Sequence, residues 1–167
     1  MTIERLSLNP ATLRVTGGPV PVRRSSTLFD ELRVSPDGQT IATRTIGRAE
    51  DVCLLSADGR SLRRLTSDRF RNRRPAFTPD GRRVLFYSNR DGAFRIFSIA
   101  LDGSGLRPVT EPGSPQYLYP LVSPDGKLLA AGSYDGRLTV RALSAEPDGA
   151  PVASGPPIAE FQARFAN

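Results

Sequence analysis

The chain repeats itself about every 44 residues, and no other feature restricts its fold as much. Ser35-Pro36-Asp37-Gly38 returns as Thr78-Pro79-Asp80-Gly81 and again as Ser123-Pro124-Asp125-Gly126, in steps of 43 and 45. Asp58-Gly59, Asp102-Gly103 and Asp148-Gly149 form a second series, with steps of 44 and 46. Leu65-Thr66, Val109-Thr110 and Ala153-Ser154 step by 44 twice, and Asp91-Gly92 to Asp135-Gly136 steps by 44 once. A lone Asp-Gly marks a turn. Four markers sharing one period mark a repeat protein whose units bury their apolar faces on one another.

The second copy shows what one unit is. In Pro79-Asp80-Gly81, proline presets φ for a turn and glycine takes the positive φ that closes it. Val84–Ser88 is an apolar run of strand length. Asn89–Gly92 turns the chain, and Phe94, Ile96, Ile99 and Leu101 lie on a run of β-formers. The alternation slips at Phe97, which predicts a bulge there. Asp102–Gly105 is a third turn, and Leu106–Thr110 a fourth, shorter strand. Four antiparallel strands per period, with no window of sustained helical spacing, predict an all-β chain built as a β-propeller. The 15 Gly and 15 Pro of the 167 residues are the turn punctuation this requires.

Composition removes several chemistries. With no His there is no Ser-His-Asp or Cys-His catalysis and no His-ligated metal. One cysteine, Cys53, excludes an internal disulfide framework and a multi-Cys zinc site, and its apolar surroundings (Val52–Leu55) read as core. Asp37, Asp80 and Asp125 each precede a turn Gly and read as caps of backbone N–H groups rather than as acids of a catalytic site. Calcium at Asn89, Asp91 and Asp135 lacks the run of alternating carboxylates that such a site uses. No metal and no cofactor is expected. No apolar run reaches the ~20 residues of a membrane span. Met1–Pro10 lacks the charged-then-apolar pattern of a signal peptide, so the expected location is the cytoplasm unless a leader precedes this chain.

The succession Ser-Pro-Asp-Gly, apolar strand, Asn89-Arg90-Asp91-Gly92, Arg95-Ile96-Phe97-Ser98-Ile99, Leu101-Asp102-Gly103 and Leu106-Arg107-Pro108-Val109-Thr110 resembles the TolB-type, WD40-like propeller repeat over roughly residues 29–154. The second copy matches best; the first lacks the middle Asp-Gly, and the third has Ala153-Ser154 in place of Leu-Thr. Ile3–Pro21 resembles the outer two strands of a preceding blade, in versions found in large bacterial sensor and kinase-linked propellers. Phe161–Asn167 resembles the first strand of a following one. The expected division is 1–28 as outer strands of a partial blade, 29–67, 68–111 and 112–155 as blades, and 156–167 as a following strand. The chain is about 3.8 periods long, so it reads as part of a larger ring or as a closed ring of four blades, the fewest the architecture uses. A partial ring exposes blade edges and predicts self-association.

The net charge of +6 is concentrated in one place. Residues 60–95 hold 11 Arg against Asp68, Asp80 and Asp91, a balance of +8, while the remainder sums to −2. Within this stretch Arg69-Phe70-Arg71-Asn72-Arg73-Arg74 joins the outer strand of one blade to the inner strand of the next, near the mouth of the channel. An Arg rim suits carboxylates, phosphates or an acidic protein. The competing reading is a solvated loop with no ligand. Only Phe70 is available for base stacking, so nucleic acid is not expected. Tyr117 and Tyr119 sit on the same type of loop one period on. Arg69, Phe70, Arg71, Arg73, Arg74, Tyr117 and Tyr119 are therefore the expected partner-binding residues.

The resemblance implies a non-enzymatic cell-envelope module that binds a protein or peptide, in the periplasm if a leader is present. Two alternatives stay open. One is a sensor propeller linked to a kinase or a DNA-binding domain. The other is the gating propeller of a prolyl oligopeptidase-type hydrolase, whose catalysis would need another domain because this chain has neither Gly-x-Ser-x-Gly nor His.

Overall fold

A computed structural model describes residues 1–112 and 116–162. Among them there is no helix, and fourteen strands form one two-stranded and three four-stranded antiparallel sheets. β1 (Thr2–Arg5) pairs with β2 (Val20–Arg24). The first blade is β3 (Leu28–Val34), β4 (Thr40–Ile46), β5 (Val52–Ser56) and β6 (Leu62–Arg64). The second is β7 (Asn72–Phe77), β8 (Arg83–Ser88), β9 (Arg95–Ala100) and β10 (Arg107–Pro108). The third is β11 (Tyr117–Val122), β12 (Leu128–Ser133), β13 (Arg137–Ala145) and β14 (Pro151–Gln162). Each blade is a meander in chain order, which makes the chain a partial β-propeller.

The repeat signals have local causes. In each Ser/Thr-Pro-Asp-Gly turn the hydroxyl donates to the Asp Oδ1, at 2.5 Å from Ser35, 2.5 Å from Thr78 and 2.6 Å from Ser123. The same Oδ1 accepts the N–H of Gln39, Arg82 or Lys127, and the hydroxyl oxygen accepts that of Thr40, Arg83 or Leu128. Gly38, Gly81 and Gly126 follow at φ 73, 70 and 75, where a side chain is costly. The Leu-Thr series marks where the outer edge is tied in. The Thr66 and Thr110 hydroxyls accept the amides of Val52 and Ile96, while Leu65, Val109 and Ala153 are buried.

Alternate faces of each sheet pack on the neighbours. Ala42, Val52 and Leu54 of the first blade meet Val84, Phe86, Phe97 and Ile99 of the second. The opposite face of the second, Leu85, Tyr87 and Ile96, meets Tyr117, Leu129 and Ala131 of the third. Ile3 and Val22 cover Phe29, Cys53 and Leu55 on the far side of the first blade, so β1–β2 occupies the place of a preceding blade. Gly59 is required there: a Cβ would stand 1.9 Å from the Val22 carbonyl oxygen.

Two local expectations change. The β8–β9 ladder runs without a slip from Arg83↔Ala100 to Ser88↔Arg95, so Phe97 carries no bulge. Each inner strand carries a bulge instead, between Asp30 and Arg33, Arg73 and Ala76, and Leu118 and Leu121, and further slips fall at Ile3/Glu4 of β1 and Val140/Ala142 of β13. Residues 156–162, expected to begin a following blade, are the second half of β14, where Phe161 pairs with Leu138 and Gln162 with Arg137. The rest of that expected strand, residues 163–167, lies outside the described residues.

Candidate partner-binding face

The three inner-strand bulges bring a single residue of each blade into left-handed backbone geometry: Glu31 at φ 57, Arg74 at φ 53 and Tyr119 at φ 54. For residues other than Gly this costs about 1–2 kcal/mol each, so the surrounding contacts must offset it. They do so by stacking blade on blade. The Glu31 carboxylate accepts the Arg74 amide at 2.7 Å and lies 2.9 Å from the Arg74 guanidinium. The Arg74 guanidinium in turn sits 4.8 Å above the Tyr119 ring. Tyr119 packs edge-on against Tyr87, 5.7 Å between centroids, and Tyr87 does the same against Phe94 at 5.3 Å.

An ion network surrounds this column. Arg44 makes a two-pronged contact with Asp30 and lies 3.5 Å from Glu31 and 3.6 Å from Glu50. Glu50 also receives both prongs of Arg73, one of them at 2.8 Å. The Arg73 hydrogen bond is the main reason the Glu50 carboxyl is held below its usual range, and the same bond holds the Arg73 guanidinium above its own. The Asp30 hydrogen bond is the main cause raising Arg44. Pairing of this kind neutralises Arg44, Arg73 and Arg74 from within the chain.

The expected site residues therefore separate. Arg69 and Arg71, on the loop between β6 and β7, are exposed, and among the described residues neither makes an ion pair. Phe70 is half-buried beneath two guanidinium groups, Arg69 at 5.5 Å and Arg90 at 5.7 Å from its ring. Asp68 anchors the loop, accepting from the Phe70 amide and the Asn72 side chain and pairing with Arg90 at 3.0 Å. Arg73 and Arg74 lie on β7 itself, as members of the network. Tyr119 is 48% exposed beside Arg74. Tyr117, at 2% exposure, belongs to the core between the second and third blades, where its hydroxyl accepts from Arg141 at 2.8 Å.

Asp30, Glu31, Arg44 and Glu50 were not expected in this site. One signal was present for Glu31: it precedes Arg74 by 43 residues and Arg74 precedes Tyr119 by 45, the same steps as the turn series. Glu50 carried none, because its loop is where the repeat has lost its Asp-Gly.

Stacked four-stranded meanders with repeated Asp-Gly turns define the class, a β-propeller. Residues 30–150 match the family model described as the TolB beta propeller domain, and the chain belongs to that family. It is 32% identical over 102 residues to an uncharacterised protein of Agrobacterium fabrum, covering 60% of this chain and 34% of that protein. Over 53 residues it is 42% identical to the Tol-Pal system protein TolB of Bordetella pertussis, covering 31% of this chain and 12% of that one. A solved structure assigned as TolB of Agrobacterium tumefaciens superposes with a TM-score of 0.67 at 25% identity, covering 96% of this chain and 61% of that one. The chain thus spans about a third of the first of these curated relatives.

Proposed function

We propose that this chain is a non-enzymatic interaction module of the cell envelope that binds a protein or peptide where the β6–β7 loop meets the bulges of β7 and β11. The observation that carries this reading is that exposed Arg71 forms a β-bridge with Glu50, whose ion network runs through Arg44 and Glu31 to the Arg74–Tyr119 stack, with exposed Arg69 on the same loop as Arg71. Unpaired guanidinium groups supply long-range attraction for an acidic partner, and a half-exposed tyrosine held by two neighbours supplies a rigid apolar contact. Membership of the TolB family supports a protein partner. The reading includes self-association of this chain through the free face of the third blade. That face shows exposed Leu128, Leu138 and Phe161, and a second copy is its occupant.

Capture from an envelope extract tests the partner site. Arg69→Ser with Arg71→Ser is expected to weaken capture about tenfold and to reduce its salt sensitivity. Adding Tyr119→Ala is expected to weaken it further, with the β circular-dichroism spectrum unchanged. Capture equal to the parent by the triple variant overturns the reading.

A further inference from the structure

Below the Arg74–Tyr119 stack the inner strands leave a notch of about 120 Å³, lined by Arg33, Arg74, Pro75, Tyr119, Pro120 and Leu121. Arg33 is exposed at its edge. Among the described residues it makes no ion pair and donates only to the neighbouring Leu32 carbonyl, at 3.0 Å. Beyond Arg33 and Leu121 the notch opens into a wider apolar depression with Val34, Phe77 and Pro79 in its wall. Val34 is 63% and Leu121 58% exposed, a large apolar area for residues flanking a free guanidinium.

The chain already shows which chemical group this backbone holds. Glu31 places a carboxylate where it accepts the bulge amide of Arg74 and forms an ion pair with its guanidinium. The charge balance leaves room for one more carboxylate. Asp30, Glu31 and Glu50 are matched by Arg44, Arg73 and Arg74, so Arg33 is a cation in excess.

We propose that the notch is a carboxylate subsite: Arg33 pairs with a carboxylate of the bound chain, and an adjacent apolar side chain lies in the depression against Val34 and Leu121. This rests on the partner-binding reading and adds the chemistry of what enters first. A carboxylate beside an apolar side chain comes either from a peptide's free C-terminus or from an Asp or Glu within it. Arginine suits both, through two parallel N–H···O bonds.

Three synthetic probes separate the two sources: acetyl-Gly-Gly-Leu with a free carboxylate, the same peptide amidated, and amidated acetyl-Gly-Glu-Leu. Amide shifts in heteronuclear NMR titrations of the intact chain are the readout. The free acid or the glutamyl peptide is expected to shift Leu121 and Tyr119, and the neutral amide to bind at least about tenfold more weakly. Binding by the free acid alone assigns a C-terminus, and binding by the glutamyl peptide alone an internal acidic residue. Arg33→Ser is expected to lower the affinity about tenfold, and Arg33→Lys, which keeps the charge without the fork, to fall between. Equal shifts with the neutral amide, no shift with any probe, or an unaltered titration in Arg33→Ser overturns the proposal. Full extract capture by Arg33→Ser, together with loss in the Arg69/Arg71 variant, overturns the subsite and leaves the wider reading standing.

Discussion

At the scale of residues, the recurring aspartates are the clearest case of chemistry spent on structure. The hydrogen bond from Ser35 is the main cause holding the Asp37 carboxyl below its ordinary range, and Ser123 does the same for Asp125. At Asp80 burial pushes upward, but the Thr78 hydroxyl and the Arg82 amide outweigh it. A carboxyl whose pKa is lower in the folded than in the unfolded chain contributes stability above its unfolded value near ~4, and loses it as the pH falls through the folded value. Urea midpoints are therefore expected to fall below about pH 4. The Ser35→Ala, Ser123→Ala variant is expected to be less stable at pH 7 and to lose less on acidification; parallel pH profiles would contradict this origin. The role of these aspartates was legible in the sequence because an Asp two residues after Ser or Thr and just before Gly needs only local bonds. The pairing of Arg73 and Arg74 was not legible, because their partners Glu50 and Glu31 lie 23 and 43 residues away.

At the scale of elements, the bulges are placed where the sheets need to turn a side chain. A two-residue alternation identifies strands, but it does not say which strand slips. The irregular pattern at Phe97 comes from a regular strand buried on both faces, where Phe97 and Ile99 meet one neighbour and Ile96 the other. Each inner strand holds a slip instead, and in the second and third blades that slip presents one residue, Arg74 or Tyr119, to the blade before it. β5 illustrates the opposite case, a strand closed on both faces by packing. Cys53 lies between Phe29, Leu55 and Ile3, and burial, with a smaller contribution from the Asp51 carboxylate, pushes its thiol up to about 11. A thiol-specific reagent at pH 8 is expected to label Cys53 only after urea unfolding. Labelling of the native chain at the rate of a free thiol would show that β1–β2 does not stay on the first blade.

At the scale of the whole molecule, one sheet face stands apart. Each contact between blades repeats the same positions, and the third blade turns Leu138, Phe161 and Leu128 outward with Gly132 where the second blade carries Tyr87. Beside Gly132 lies a hollow of about 320 Å³ lined by Leu118, Tyr134 and Leu138, and Phe161 projects from β14 as the neighbour of Leu138. A face with both a hollow and a projection, and with uncharged Leu138, Val140 and Ala142 along β13, can pair with itself about a two-fold axis. A single blade face is a small interface, so sedimentation is expected to show a concentration-dependent monomer–dimer equilibrium. Leu138→Glu and Leu138→Lys are each expected to be monomeric, and their mixture to recover the dimer. A parent chain that stays monomeric, or variants that dimerise unchanged, would exclude this face.

Period, turn chemistry, strand count per unit and the family resemblance were determined by the sequence alone. All of them rest on interactions that close within a few residues or on regularities repeated along the chain. The proposed partner face was decided only by the tertiary structure. Glu31, Arg74 and Tyr119 are more than forty residues apart and become neighbours because consecutive sheets stack about 10 Å apart. The same stacking buried Tyr117 while leaving Tyr119 exposed, and it neutralised two of the arginines that had marked the site. A linear count of charge cannot see this, because the sign of a surface depends on which side chains the fold brings together.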